Sequence, residues 1–119
     1  MGAEEFGRLP ERCRSIAEEI HRGGWREGLR QFQAMVPTIS AGLAELSRRA
    51  AARGLELDTI EINDLPLASL IKTLQSILLE VNGAVKKRDW TAVADLIEED
   101  LVAAVEAVGA VLGELDGPR

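Results

Sequence analysis

Residues 25–52 read WREGLRQFQAMVPTISAGLAELSRRAAA. Within this stretch Trp25, Leu29, Phe32, Val36, Ile39, Leu43, Leu46 and Ala50 recur at alternating steps of four and three. That spacing keeps apolar side chains on one stripe of a helix, so the segment predicts a long amphipathic helix packed along most of its length. Pro37 falls inside it. A proline there removes one backbone hydrogen bond and crowds the carbonyl four residues back, which predicts a kink or break around residues 33–36. The apolar phase continues past Pro37, which favours the kink. Gly54 supplies the stop.

The flanking segments read the same way. Upstream, Leu9, Cys13, Ile16, Ala17 and Ile20 share one helical face, with Pro10 in the first turn and Gly23-Gly24 as the terminator. Downstream, residues 55–64 alternate apolar and polar, a period of two. With no partner strand in view, they predict an extended connector laid on the bundle. Asp64 and Pro66 are then expected to open a third helix, with the seam Leu67, Leu70, Leu74, Ile77, Val81 and Ala84, widened by Ile71, Leu78 and Val85. Lys86, Lys87 and Arg88 close it, where positive charge suits the helix end. Asp89 is expected to cap a fourth helix with Val93, Ile97, Leu101, Ala104, Val108, Leu112 and Leu115 inward. The expected fold is an all-α, antiparallel up-down bundle of four helices forming one domain over residues 1–119, or a three-helix core with a short first helix.

The two halves echo one another. Shifted by 65 residues, His21-Arg22-Gly23-Gly24-Trp25 falls on Lys86-Lys87-Arg88-Asp89-Trp90. Leu9, Cys13, Ile16 and Ile20 fall on Leu74, Leu78, Val81 and Val85; Phe32, Val36 and Leu43 fall on Ile97, Leu101 and Val108. A duplicated αα-hairpin would produce this pattern; so would any two amphipathic hairpins.

Composition narrows the function classes. The chain has 119 residues, a net charge of −6, one cysteine, one histidine and no tyrosine. A length of this order supports a core without metal or disulfide. The acidic balance argues against nucleic-acid binding, which needs a basic footprint. A single cysteine forms no internal disulfide and fits a reducing compartment, and no stretch approaches the ~20 apolar residues of a membrane span. A cytoplasmic location and no membrane partner are expected.

Candidate sites are few. Glu18 and His21 form Glu-x-x-His, half of a di-iron bundle motif, but the second half would need another histidine; only a site assembled between chains could supply one. Cys13 has core spacing and no base within reach. The acids Asp95, Glu98, Glu99 and Asp100, and Glu56, Asp58, Glu61 and Asp64, read as solvated faces, without the glycine of a calcium loop. Trp25 and Trp90 are either core plugs at the hairpin turns or stacking platforms. No catalytic residue, metal ligand or cofactor site is expected. What remains is apolar breadth: Leu101, Val102, Val105, Val108, Val111 and Leu112 cannot all face one neighbour. Val102, Val105 and Val111, with Ile71 and Leu78, are therefore the expected partner-binding surface, the alternative being burial by two neighbours within the chain.

Residues 84–101, AVKKRDWTAVADLIEEDL, resemble the second half of a family of small helical bacterial proteins of uncharacterised function. Their pattern of Asp-Tyr followed by Ala-Asp-Leu-Leu-Glu-Tyr-Glu-Leu is matched here by Asp89, Ala94, Asp95, Leu96, Glu98 and Leu101. Trp90 stands for the first Tyr and Glu99 for the second. In size and helix layout the chain is also similar to flagellar export chaperones. The second likeness implies a helical, non-catalytic protein that binds a partner's helical segment, acting as an adaptor or chaperone-like binder. A structural homodimer, or a metal-binding protein whose site lies between chains, is the alternative.

Overall fold

A computed structural model describes residues 6–54, 61–62 and 65–116, with side chains described for residues 6–54 and 68–113. Its helices are α1 (Leu9–His21), α2 (Trp25–Ala52), α3 (Leu67–Lys86), α4 (Trp90–Asp95) and α5 (Val102–Asp116). A six-residue π-helical segment, Leu96–Leu101, joins α4 to α5, so the three pieces form one fourth rod. This is the expected all-α bundle of two antiparallel hairpins. It is elongated, 47 × 23 × 20 Å, because the 28 residues of α2 alone reach about 42 Å at ~1.5 Å per residue.

Local chemistry explains the ends. Pro10 sits in the first turn of α1, where its missing N–H costs nothing. The Asp89 side chain accepts a hydrogen bond from Ala92 N–H at 3.2 Å and caps α4. Pro37 lies inside α2 without ending it. Two short strands, β1 (Glu61–Ile62) and β2 (Leu65–Pro66), pair antiparallel, Glu61 opposite Pro66 and Ile62 opposite Leu65. This corrects two expectations. Part of the connector is paired, and Pro66 belongs to its partner strand rather than to the first turn of α3. The Asp64 cap, like most of the acidic run from Glu56 to Asp64, lies outside the described residues.

The stripe of α2 is rotated slightly from the expected seam, while that of α1 is the expected Leu9, Cys13, Ile16, Ala17 and Ile20. The buried residues of α2 are Gly28, Phe32, Met35, Ile39, Gly42, Leu46 and Ala50, while Leu29, Val36 and Leu43 are half-buried. Gly28 and Gly42 are contact points where other side chains reach the helix backbone. A Cβ on Gly28 would stand 2.5 Å from Ile20 Cγ1, and one on Gly42 would stand 2.2 Å from the Phe6 ring. The stripe therefore turns toward its glycines, which a hydrophobicity pattern skips.

The fourth rod is central. It packs against α1, α2 and α3, while α3 rests mainly on this rod. Val93, Ala94, Ile97, Leu101, Val102, Ala104, Val105, Val108, Val111 and Leu112 are all buried in one connected core. Several neighbours thus cover the broad apolar surface of this rod, the alternative its sequence left open.

The echo between hairpins is structural. Gly23 N–H bonds to Ile20 O and Gly24 N–H to Glu19 O; 65 residues on, Arg88 N–H bonds to Val85 O and Asp89 N–H to Ala84 O. Both turns are the same helix-terminating motif, with a left-handed residue at Gly23 (φ 94°) and at Arg88 (φ 58°). From the two tryptophans burial repeats largely in step through Ala34 and Glu99, with Gly28 and Phe32 on Val93 and Ile97. Beyond them it repeats one residue later: buried Met35, Ile39, Gly42 and Leu46 correspond to Leu101, Val105, Val108 and Leu112, and exposed Pro37 and Ser40 to Ala103 and Glu106. The π segment accounts for the slip. Val102 N–H bonds to Ile97 O, five residues back, which accommodates one extra residue in the helix without rotating the core face that follows. Val36 and Leu43 therefore match Val102 and Gly109, not Leu101 and Val108 as a constant shift predicts.

Candidate functional site

The π segment borders a cleft. An open cleft of about 620 Å³ lies between α3 and the fourth rod. Leu70, Ile77, Ala103 and Ala104 supply apolar lining, Thr73 and Ser76 hydroxyls, and Lys72, Glu80, Glu99 and Asp100 charge. A second cleft of about 370 Å³ shares Glu80 and runs on toward the turn, past Gly83, Ala84 and Lys87 of the third helix and its end. Together they make one groove spanning Leu70 to Lys87, about 26 Å at helical rise. Leu79 borders it. That side chain is 71% exposed, and its neighbours on the helix surface, Ser76 and Gly83, both line the groove.

The extra residue shapes this groove. With the hairpins aligned by burial, Asp100 has no counterpart in α2. Glu98, Glu99 and Asp100 form three consecutive exposed positions, where α2 has only Gln33 and Ala34. The equivalent cleft of the first hairpin, about 210 Å³, is lined by Arg12, Ser15, Ile16, Arg30, Gln31 and Ala34. The two clefts differ: the first is small and carries Arg12 and Arg30, the latter paired with Glu27, and the second is large and mainly acidic.

The expected partner surface is corrected here. Val102 is 5% exposed, Val105 fully buried and Val111 1% exposed, because α1, α2 and α3 enclose the fourth rod. These three are core residues, unavailable to a partner in the folded chain. Ile71 and Leu78 are half-buried and packed against the core. On the helical wheel they sit on the flank of α3 away from the groove.

The other candidates resolve one by one. His21 Nε2 lies 3.8 Å from Asp95 Oδ1 and 3.5 Å from Glu98 Oε2, so the imidazole faces two carboxylates of the fourth rod. Glu18 instead pairs with Arg22 at 3.8 Å. Among the described residues no group of three or more His, Cys, Asp or Glu side chains is placed to hold a metal ion. Cys13 is buried, its Sγ 3.8 Å from Met35 Sδ, and burial pushes its thiol up to about 12. Trp25 and Trp90 are neither independent plugs nor free platforms. Their rings stack on each other, centroids 4.5 Å apart and planes within 14°, and each residue is half-buried. Arg26 covers Trp25 at 5.1 Å from its ring centroid. The residues the echo aligns thus meet where the hairpins join.

The groove residues Lys72, Leu79 and Glu80 escaped the sequence reading, and Asp100 reads there only as part of a solvated acidic face. Two signals were present: Leu79 lies off the apolar seam of its helix, and the apolar echo slips by one residue after Glu99. Among the described residues no helix is long and apolar enough to cross a membrane. Comparison with protein-family models, with curated proteins and with solved structures found no match to this chain.

Proposed function

We propose that this chain is a non-enzymatic interaction module that takes a helical segment of another protein into the groove between α3 and the fourth rod. The observation that carries the reading is the one-sided support of α3, which rests mainly on that rod and leaves beside it an open groove with partly apolar lining. Its dimensions suit a helix laid alongside, an established mode of peptide recognition. Exposed Leu79 offers an apolar contact at the rim. The non-catalytic part of the reading is supported by the side chains themselves. The one cysteine carries a thiol held protonated by burial, and the one histidine faces carboxylates rather than a nucleophile.

The experiment compares the wild-type chain with the groove-blocked variant Ser76→Arg/Leu79→Glu in capture from native extract, read by mass spectrometry. Proteins retained by the wild type and lost from the variant are the expected result. A captured set unchanged by the block would remove the groove from the function.

A further inference from the structure

We infer that the segment docking in this groove is a basic amphipathic helix, with an apolar stripe flanked by Lys or Arg. This rests on the reading of the groove as a helix-binding site and adds the chemistry of its occupant. Three observations carry it. The first is the charge along the groove: Glu80, Asp89, Glu99 and Asp100 line its two clefts against two cations, Lys72 and Lys87. The second is the fourth rod, which has no Lys or Arg anywhere from Trp90 to Asp116. A guest lying along it meets fixed negative potential, unrelieved by cations of the same rod. The third is the contrast with the first hairpin, whose corresponding cleft carries Arg12 and Arg30. The excess of carboxylates is particular to the second hairpin, where Asp100, the extra residue of the π segment, adds to Glu80 and Glu99.

The guest's length follows from the groove. About 26 Å accommodates roughly 17 residues of helix. Apolar residues recurring at three and four would meet Leu70, Ile77 and Ala103, while cations on the flanks would meet Glu80, Glu99 and Asp100.

The test uses the full chain and two synthetic 18-residue helical peptides with the same leucine stripe, one flanked by lysines and one by glutamates, with binding followed by calorimetry. The wild type is expected to bind the lysine peptide at least tenfold more tightly. Glu80→Lys/Asp100→Lys should abolish or reverse that preference, while Glu11→Lys/Glu27→Lys, equal in charge change but on α1 and α2, should retain it. Circular dichroism confirms that each variant is folded. If both peptides bind equally, or the two double variants behave alike, the assigned chemistry is wrong while helix binding stands. If neither peptide binds, the groove reading itself falls. If the wild type is a dimer by light scattering and the Glu80→Lys/Asp100→Lys variant a monomer, the occupant is a second copy of this chain, which also overturns the proposal.

Discussion

Trp25 and Trp90 show what single residues contribute. Each stands just after a hairpin turn, and the two rings form one stacked pair. Because both are half-buried, replacing either by alanine should cost about 2 kcal/mol, below the ~3–5 kcal/mol of a fully buried aromatic. Removing both should cost less than the sum by about 1 kcal/mol, the worth of an aromatic pair beyond its area. Urea titration of the two single variants and the double variant checks this; a coupling of zero would mean the rings act independently. Cys13 behaves oppositely, through burial alone. Its folded thiol titrates at about 12 against an ordinary value of 9.0. Above pH 9 the unfolded chain releases a proton that the native chain keeps, so stability present below pH 9 is lost as pH rises toward 12. The slope approaches ~1.4 kcal/mol per pH unit. Cys13→Ala should lack this contribution, which a comparison of the two stability curves between pH 8 and 11 reveals.

At the scale of elements, the π segment is the informative departure. One extra residue in a regular helix would turn every later side chain by about 100° and move the core face to solvent. Confining that residue to a five-back hydrogen-bonding turn keeps Leu101, Val105, Val108 and Leu112 on the core. Deleting Asp100 should therefore leave a folded protein with an unbroken fourth helix and a thermal midpoint equal to or above that of the wild type. Deleting Ala104, within regular α5, should misalign the residues that follow and unfold the chain or lower the midpoint by more than ~10 °C. Thermal circular dichroism of the two deletions distinguishes them, and equal destabilisation would contradict the insertion account. The ion pairs of α2 matter less. Glu27 with Arg30, and Glu45 with Arg48, sit one turn apart, and the arginine hydrogen bonds hold both carboxyls down near about 2. The exposed pair of Glu27 with Arg30 contributes little to stability.

For the molecule as a whole, the fourth rod decides the architecture. A helix apolar on most of its circumference is stable in water only when enclosed, and here α1, α2 and α3 enclose it. Val102→Glu and Val111→Glu should each cost about 3–5 kcal/mol, since a carboxylate placed there has no partner and no water. Loss of the helical signal or a collapse of the thermal midpoint is the expected result. Variants that unfold within ~1 kcal/mol of the wild type would show that these valines face solvent, returning them to the candidate binding surface.

By itself, the sequence determined the fold class, the helix order, the glycine and Asp89 boundaries and the pairing of the two hairpins. These follow from apolar spacing and from backbone chemistry within a few residues. The tertiary structure decided what depends on how many neighbours a helix has. Periodicity shows which side chains share a face, but not whether one helix or three will cover it. Val102, Val105 and Val111 therefore read equally well as core or as surface until the enclosing helices were placed. It likewise decided that Gly28 and Gly42 are contact points, because a missing side chain has no hydrophobicity to read. The groove, too, is tertiary: its walls come from two helices, and its carboxylates, Glu80 on one and Glu99 and Asp100 on the other, are brought to one cleft only by the packing of the two.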